Sequence, residues 1–355
     1  MNLQATSFDR RTSPSPRWAV LAALGLAALV ACAPARTPET AAPTTTAAPT
    51  SRPDDPPAAT TRRGFPTELR VGISYGPYRE GQRPGGPDPT AAQLLEDLQL
   101  VSTRWQMIRV YSSRGPTEAI LRTIREQELP LRVMVGAWIA PDAPEANAAE
   151  VAEAIRLANA YPDVVIAVSV GNESQVAWSG HRTPQEVLLR HLRATRRAVK
   201  QPVTTADDYN FWNKPESHAV AAEVDFLLLH AYAMWNQQPL ADAVAWTDKT
   251  LDAIAAEHPD LTIVLGETGW ATELNPTAGG DQVKYIKAPA GEAEQAAFYA
   301  EFTAWAEERG VPYFYFEAFD EPWKGRDDPR DVEKHWGLYR VDRTPKPALT
   351  TGGSP

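Results

Sequence analysis

The stretch "IAVSVGNESQ", Ile166 to Gln175, carries a glutamate at the end of an apolar run. Its nearly continuous β-branched and apolar residues predict a strand that is buried on both faces, as in a parallel sheet. The run then reaches Gly171, Asn172 and Glu173. A carboxylate in such a place is costly unless it is paired or takes part in chemistry. The stretch therefore predicts both a buried strand and a functional strand end.

Seven further runs of this kind alternate with helical patterns after Phe65. With the first stretch they predict strands within residues 69–75, 107–113, 131–138, 164–173, 202–208, 224–232, 261–270 and 311–319. Eight βα units over residues 65–350 fit an α/β fold of the (β/α)8 TIM barrel type with a single catalytic domain, which typically needs about 250 residues. A doubly wound open sheet is the alternative. It is disfavoured because "GISYGPYREG", after the first strand, lacks the glycine spacing of a dinucleotide-binding turn.

The first 64 residues have the composition of an export signal followed by a tether. Arg10, Arg11 and Arg17 precede a 14-residue apolar run, Trp18 to Ala31. A membrane-spanning helix needs about 20 apolar residues, so the pattern predicts a signal peptide over residues 1–31. The run ends in "LVAC", and Cys32 is the single cysteine of the chain.

This ending resembles a bacterial lipoprotein signal, which implies cleavage before Cys32 and lipidation of its sulfur. Residues 32–64 are then the lipidated cysteine and a disordered tether rich in Pro, Thr and Ala. We expect an exported cell-envelope lipoprotein, held on a bacterial membrane through its lipid anchor. An ordinary secretory signal, and hence a secreted protein, is the alternative.

The charge balance and the histidine pattern exclude several kinds of partner. The formal net charge is −10, which argues against nucleic acid as a partner. The six histidines show no metal-ligand spacing and no cofactor motif is present, so we expect neither a metal nor a cofactor.

Two glutamates end apolar strands at positions that face one another across the predicted barrel. Glu267 follows Glu173 by 94 residues, which is three units at about 30 residues each and places the pair on the fourth and seventh strands. Active sites of such barrels lie at the carboxyl ends of the strands. Two carboxylates across a cleft are the requirement of glycoside hydrolysis, where one donates a proton and the other attacks the anomeric carbon.

Other polar and aromatic side chains fall at the same strand ends. We expect Arg109 and Tyr232 near Glu267, where a guanidinium and a phenol keep a carboxylate ionised. Trp270 is expected to stack on the apolar face of a sugar ring, and His230 is either a site residue or a histidine of the barrel interior. Further candidates for binding or supporting the substrate are Tyr75, Tyr111 and Trp138.

Three motifs in order, "VSVGNES", "LGETGWAT" and "FEAFDEPWK…VEKHWGLY", resemble glycoside hydrolase family 17, the β-1,3-glucanase family of clan A. The resemblance extends over residues 65–349. It implies that Glu173 is the general acid/base and Glu267 the nucleophile. It also implies that Asn172 hydrogen-bonds the sugar 2-hydroxyl, and that Glu321 and Lys324 form a charged pair beside the catalytic acids.

The expected function is therefore that of a retaining glycoside hydrolase that cleaves β-1,3-linked glucan by double displacement. Whether water or a second sugar resolves the covalent intermediate stays open, so a β-1,3-glucanosyltransferase is one alternative. Another clan A β-glycanase and a surface lipoprotein that binds glucan without turnover are the others. The glutamate pair argues against a pure binder, because two nearby carboxylates repel each other.

Overall fold

The computed structural model describes residues 62–350. The predicted signal peptide, the lipidation site Cys32 and the tether as far as residue 61 lie outside the described residues. Within residues 62–350, no helix combines the length and the apolar character that crossing a membrane requires.

Eight parallel strands form a closed barrel in which each strand pairs with the next in the chain and the eighth pairs with the first. This confirms the predicted (β/α)8 TIM barrel. The strands are β1 (Val71–Ser74), β2 (Met107–Val110), β3 (Arg132–Ala137), β4 (Val165–Asn172), β5 (Val203–Asp208), β6 (Leu227–His230), β7 (Ile263–Glu267) and β8 (Tyr313–Tyr315).

Helices lie between consecutive strands. They are α1 (Ala91–Ser102), α2 (Thr117–Glu126), α3 (Pro144–Ala160), α4 (Gln185–Ala198), α5 (Tyr209–Trp212), α6 (Ser217–Ala221), α7 (Ala243–Glu257), α8 (Gly280–Tyr285) and α9 (Glu292–Arg309). Local signals set their ends: Thr90 and Gln93 form a reciprocal capping box before α1, and Gly310 takes a left-handed conformation after α9.

The barrel interior is filled at its amino-terminal end by one inward-facing side chain from most strands. Phe65 closes this end, with its ring packed edge-on against Phe226 at 5.0 Å. Arg63 donates to the carbonyls of Val199, Gln201 and Arg196. The chain therefore makes barrel contacts two residues before the predicted domain start at Phe65. The rest of this interior layer is Met107, Met134, Ala167, Ala206, Leu228, Val264 and Phe314.

The strands are shorter than the apolar runs that predicted them, and residues are missing at both ends. The eighth run covers residues 311–319, yet β8 ends at Tyr315. Beyond Tyr315 the pairing is irregular, although the Phe316 amide still donates to the Thr268 carbonyl and the Ala318 amide to the Ser74 carbonyl. The apolar composition extends over the whole buried segment. Regular strand pairing ends earlier, where side chains turn toward the mouth of the barrel.

Candidate active site

The end of β4 is irregular at the point where the predicted acid/base emerges. The pairing register with β5 shifts between Ser169 and Asn172, and Gly171 and Glu173 have φ angles of 83° and 47°. Such a left-handed conformation is unfavourable for a glutamate and persists only where the surroundings hold it. The Glu173 amide donates to the carbonyl of Ala206 at 2.9 Å. The irregularity re-aims the Glu173 side chain into the barrel mouth.

The end of β7 places Glu267 among hydrogen-bond donors from two other strands. Its Oε1 accepts from Arg109 Nη1 at 3.0 Å and from the Tyr111 hydroxyl at 2.8 Å. Its Oε2 accepts from the Tyr232 hydroxyl at 2.8 Å. Arg109 and Tyr232 thus lie beside Glu267, as the strand-end register predicts, and Tyr111 adds a further donor.

Glu173 and Glu267 face each other with opposite proton affinities. One carboxylate oxygen of each lies within 4.8 Å of the other. Burial, together with the negative charge of Glu267, raises the pKa of Glu173 to about 8. Burial alone raises the pKa of Glu267, but the electrostatic effects of the adjacent His230 ring and Arg109 guanidinium, together with the phenol donors, outweigh it, so that this pKa lies below its ordinary value. At neutral pH one carboxyl is protonated and the other is ionised.

Arg109 connects the two strand ends that carry these glutamates. Besides Glu267, its Nη1 donates to the carbonyl of Gly266 at 2.9 Å, and its Nη2 donates to Asn172 Oδ1 at 2.6 Å. With its oxygen held in this way, Asn172 keeps its amide NH₂ as the donor available on the cleft side. The guanidinium is almost fully buried, so its bonds fix Asn172 and Glu267 relative to each other.

His230, whose role the sequence leaves open, lies between the two glutamates. Its Nδ1 is 2.9 Å from Glu173 Oε1 and its Nε2 is 3.3 Å from Glu267 Oε1. Burial lowers the pKa of the ring to about 4. These three residues hold ligand atoms close enough for a metal ion. However, Arg109 Nη1 lies 3.0 Å from both Nε2 and Glu267 Oε1, and its positive charge opposes a cation there.

The predicted charged pair Glu321 and Lys324 includes a third member. Lys324 Nζ lies 2.6 Å from Glu321 Oε2 and 2.6 Å from Glu317 Oε2. Burial raises the pKa of Glu317 well above its ordinary range, and its Oε1 has no hydrogen-bond partner among the described residues. Lys324 is thus shared between two buried carboxyl groups, and burial favours the uncharged form of Glu317.

A cleft of 1440 Å³ opens over both glutamates. Aromatic side chains form much of its walls: Tyr75, Tyr78, Tyr111, Trp138, Trp178, Tyr232, Trp235, Tyr285, Phe316, Trp323 and Trp336. Trp178 and Trp323 are 59% and 39% exposed. Indole rings with a free face can pack against the apolar face of a sugar ring, so the cleft suits an extended saccharide.

The stacking role predicted for Trp270 is wrong. This residue is fully buried, its indole NH donates to the carbonyl of Pro289 at 3.0 Å, and its ring packs on Phe298 of α9 at 5.5 Å. Beyond Glu267 the chain turns outward, so a residue three positions later lies behind the barrel mouth. Tyr75 borders the cleft, but it is buried and its hydroxyl donates to Asp97 at 3.3 Å, which leaves its ring in a supporting position.

Two cleft residues escape the sequence prediction. Trp178 follows Glu173 by five residues in the loop after β4 and is the most exposed large aromatic side chain among the described residues. Glu333 lies in the motif "VEKHWGLY", lines the cleft and has its pKa raised to about 7 by burial, against the opposing effect of Lys324. The motif that contains Glu333 could have identified it as a site residue. Nothing in the sequence distinguishes Trp178 from a tryptophan that is buried in the core.

Sequence comparison finds relatives among glycoside hydrolases. The profile of the BtgE/BtgC glycoside hydrolase domain matches residues 72–337. A glucan 1,3-beta-glucosidase of Arthroderma benhamiae is 31% identical over 75% of this chain and 86% of its own length. A glucan 1,3-beta-glucosidase of Schizosaccharomyces pombe is 27% identical over 71% and 78%.

Solved structures give the same fold. An endo-laminarinase from Formosa Hel1_33_131 superposes with a TM-score of 0.72 at 27% identity, covering 81% of this chain and 88% of its own. A glycoside hydrolase family 17 β-1,3-glucanosyltransferase from Rhizomucor miehei gives a TM-score of 0.65 at 23% identity and covers 82% and 100%. The profile match spans most of the chain, and the barrel and its paired carboxyls agree with it. This chain belongs to the BtgE/BtgC glycoside hydrolase family.

Proposed function

We propose that this protein is a retaining glycoside hydrolase that acts on β-1,3-linked glucan, with Glu267 as nucleophile and Glu173 as general acid/base. The observation that carries the proposal is the pair itself: two carboxyl groups within 4.8 Å of each other, with pKa values displaced in opposite directions. Retaining enzymes hold their carboxyl groups about 5–5.5 Å apart, whereas inverting enzymes separate them by about 6.5–9.5 Å to admit a water. The separation here supports retention.

In the first step, Glu267 attacks the anomeric carbon while Glu173 gives its proton to the departing glycosidic oxygen. Arg109 and the hydroxyls of Tyr111 and Tyr232 keep Glu267 ionised and directed at the cleft. The products are a glycosyl ester on Glu267 and a free sugar hydroxyl. Asn172 is suited to donate its amide NH₂ to the sugar 2-hydroxyl, a contact that strengthens in the transition state.

In the second step, Glu173 is a carboxylate and acts as general base. It takes a proton from the incoming hydroxyl, whose oxygen attacks the anomeric carbon and releases Glu267. The configuration after two inversions is that of the substrate. The substrate class is supported by the relatives, whose names are glucan 1,3-beta-glucosidase and endo-laminarinase.

The test is turnover of laminari-oligosaccharides by the full-length protein, with product lengths and anomeric configuration followed by chromatography and NMR. We expect β-configured products that are shorter than the substrate. Glu267→Gln and Glu173→Gln are each expected to lower kcat by at least about 1000-fold, while Glu118→Gln, a change in an exposed ion pair on α2, leaves kcat unchanged. α-Configured products, or normal turnover by Glu267→Gln, contradict the proposal.

We also propose that the protein is exported and anchored to a bacterial membrane through a lipid on Cys32. The support is the basic and apolar pattern that ends in "LVAC". Cys32→Ser is expected to move the protein from the membrane fraction to the soluble fraction and to abolish labelling by radioactive palmitate. Ala33→Ser, the matched control beside it, leaves both unchanged. A membrane-bound Cys32→Ser protein overturns this proposal.

A further inference from the structure

His230 is the side chain that links the two glutamates, and its chemistry bears on the acid step of the proposed function, on which this inference rests. The ring is fully buried at the end of β6. Nδ1 faces Glu173 Oε1 at 2.9 Å, and Nε2 faces Arg109 Nη1 at 3.0 Å and Glu267 Oε1 at 3.3 Å. A neutral imidazole carries one ring N–H proton. The nitrogen that holds it decides whether Glu173 faces a hydrogen-bond donor or an acceptor.

Arg109 determines that choice. Nη1 of the guanidinium can only donate, and its two hydrogens are shared among the Gly266 carbonyl, Glu267 Oε1 and His230 Nε2, so a proton on Nε2 would point into a group of donors at 3.0 Å. Glu267 Oε1 already accepts from Arg109 and Tyr111 at shorter distances than its separation from Nε2. These contacts favour the tautomer in which the neutral ring uses Nε2 as acceptor and carries its proton on Nδ1.

The Nδ1 proton points at Glu173 Oε1, which must accept it. A carboxylic acid whose Oε1 accepts in this way carries its own proton on Oε2. We propose that His230 is a positioning residue that holds Oε1 of the acid/base as an acceptor, and so leaves the transferable proton on Oε2, the oxygen available to the glycosidic bond. After the transfer, the same N–H donates to the new carboxylate, so one bond serves both protonation states.

The groups that face the ring come from four other strands. Arg109 of β2 bonds Nε2, and Glu173 and Glu267 extend from the ends of β4 and β7. Asp207 and Asp208 of β5 act on the ring by charge alone, and burial raises their pKa values to about 8 and about 6. Two of these acids, Glu173 and Asp207, have pKa values raised to about 8, whereas the pKa of Asp208 is about 6 and that of Glu267 lies below its ordinary value. Burial of the ring and the positive charge of Arg109 outweigh the remaining negative charge and favour a neutral imidazole.

A purely structural role predicts something different. If His230 only filled the barrel or braced Glu267, its loss would slow every substrate by the same factor. If it positions the proton of Glu173, its loss matters only where the leaving group needs that proton. A sugar alkoxide needs it, whereas 2,4-dinitrophenolate leaves without protonation.

The experiment compares kcat/KM of full-length variants on laminaripentaose and on 2,4-dinitrophenyl β-laminaribioside, because kcat/KM reports the glycosylation step. For His230→Leu we expect a loss of about 100-fold on the pentaose and less than about threefold on the dinitrophenyl glycoside. His230→Asn, whose side-chain amide can donate from near the Nδ1 position, is expected to recover at least about 10-fold on the pentaose.

His258→Asn is the matched control. His258 is also a buried histidine, but its Nε2 bonds the Ser217 hydroxyl and the Trp212 carbonyl outside the cleft. We expect it to change the ratio of the two rates by less than about twofold. Thermal melting establishes that each variant is folded.

A spectroscopic readout tests the tautomer directly. In ¹⁵N-histidine-labelled protein, the signals lost in His230→Asn identify the ring, and we expect a protonated Nδ1 and an unprotonated Nε2. The opposite tautomer, or equal losses on both substrates in His230→Leu, overturns the inference. A wild-type protein that turns over neither substrate overturns the proposed function itself. If Glu173→Ala keeps its activity on the dinitrophenyl glycoside but loses it on the pentaose, the acid role of Glu173 is supported whatever the outcome for His230.

Discussion

Arg109 Nη1 lies 3.0 Å from Glu267 Oε1, although the two residues are 158 positions apart in the chain. The guanidinium crosses the barrel interior from β2 to β7, and its second nitrogen reaches Asn172 at the end of β4. Both side chains of the pair are nearly inaccessible to water. A buried ion pair of this kind fixes the positions of its side chains but adds little net stability, because the cost of removing the two charges from water offsets much of their attraction.

The first prediction concerns that geometry. Arg109→Lys keeps the charge but loses the planar fork that bonds Glu267 and Asn172 together. We expect kcat/KM on laminari-oligosaccharides to fall by about 100-fold, because a small misplacement of either group disturbs the reacting geometry. Arg125→Lys, in the exposed pair with Asp163, is the control and keeps wild-type kcat/KM. An unchanged rate in Arg109→Lys contradicts the positioning role of the fork.

The second prediction is a bell-shaped dependence of kcat/KM on pH. Glu173 must be protonated to donate, so activity falls as pH rises through its pKa of about 8. Glu267 must be ionised to attack, so activity falls at low pH, as pH drops through a pKa below the ordinary glutamate value. Rates of the oligosaccharide and of the dinitrophenyl glycoside measured from pH 3 to 10 check this, because only the first should show the alkaline limb.

Glu333 provides the control for that profile. Its pKa of about 7 makes it a cleft carboxyl that titrates between Asp208, at about 6, and Glu173. We expect Glu333→Gln to keep the alkaline limb where it is, since Glu333 does not donate the proton. Disappearance of the limb in this variant would transfer the acid role away from Glu173.

The third prediction concerns Lys324, which separates two buried carboxyl groups. Lys324→Met leaves Glu321 without its cation, and we expect the free energy of unfolding to fall by about 3 kcal/mol, since breaking a buried pair leaves an uncompensated charge. Glu317→Gln is expected to cost less than about 1 kcal/mol, because burial raises the pKa of Glu317 and favours the uncharged form that the amide resembles. Urea denaturation at pH 7 measures both, and a loss for Glu317→Gln as large as that for Lys324→Met contradicts this expectation.

The fourth prediction concerns the buried side chain of Asp97 in α1, which binds Arg343 in the segment that follows β8. Arg343 donates to both of its oxygens at 2.8 and 2.7 Å, and Arg79 donates at 2.8 Å. Asp97→Ala leaves the buried Arg343 guanidinium unpaired, so we expect a loss of about 3–5 kcal/mol of unfolding free energy. Asp163→Ala, which removes an exposed ion pair, is expected to cost less than about 1 kcal/mol in the same urea titration.

The sequence by itself determined the barrel and the strands on which the two glutamates stand. Alternation of apolar runs with helical patterns is a local property, and each βα unit has a narrow range of lengths. Counting units therefore placed Glu173 after β4 and Glu267 at the end of β7, where the structure has them. Arg109 and Tyr232 followed from the same register, because carboxyl ends of parallel strands meet at one mouth.

Only the tertiary structure decided which side chains reach the cleft and what each one bonds. Trp270 is close to Glu267 in sequence but is buried behind it, whereas Trp178 has its ring in the cleft. His230 contacts Arg109 and Glu173, which are 121 and 57 positions away. Such contacts depend on how distant segments pack and on which way a side chain turns at a strand end. The spacing of residues along the chain does not reveal either the packing or the side-chain direction. The two-residue period of a strand predicts which face a side chain lies on only while the strand stays regular.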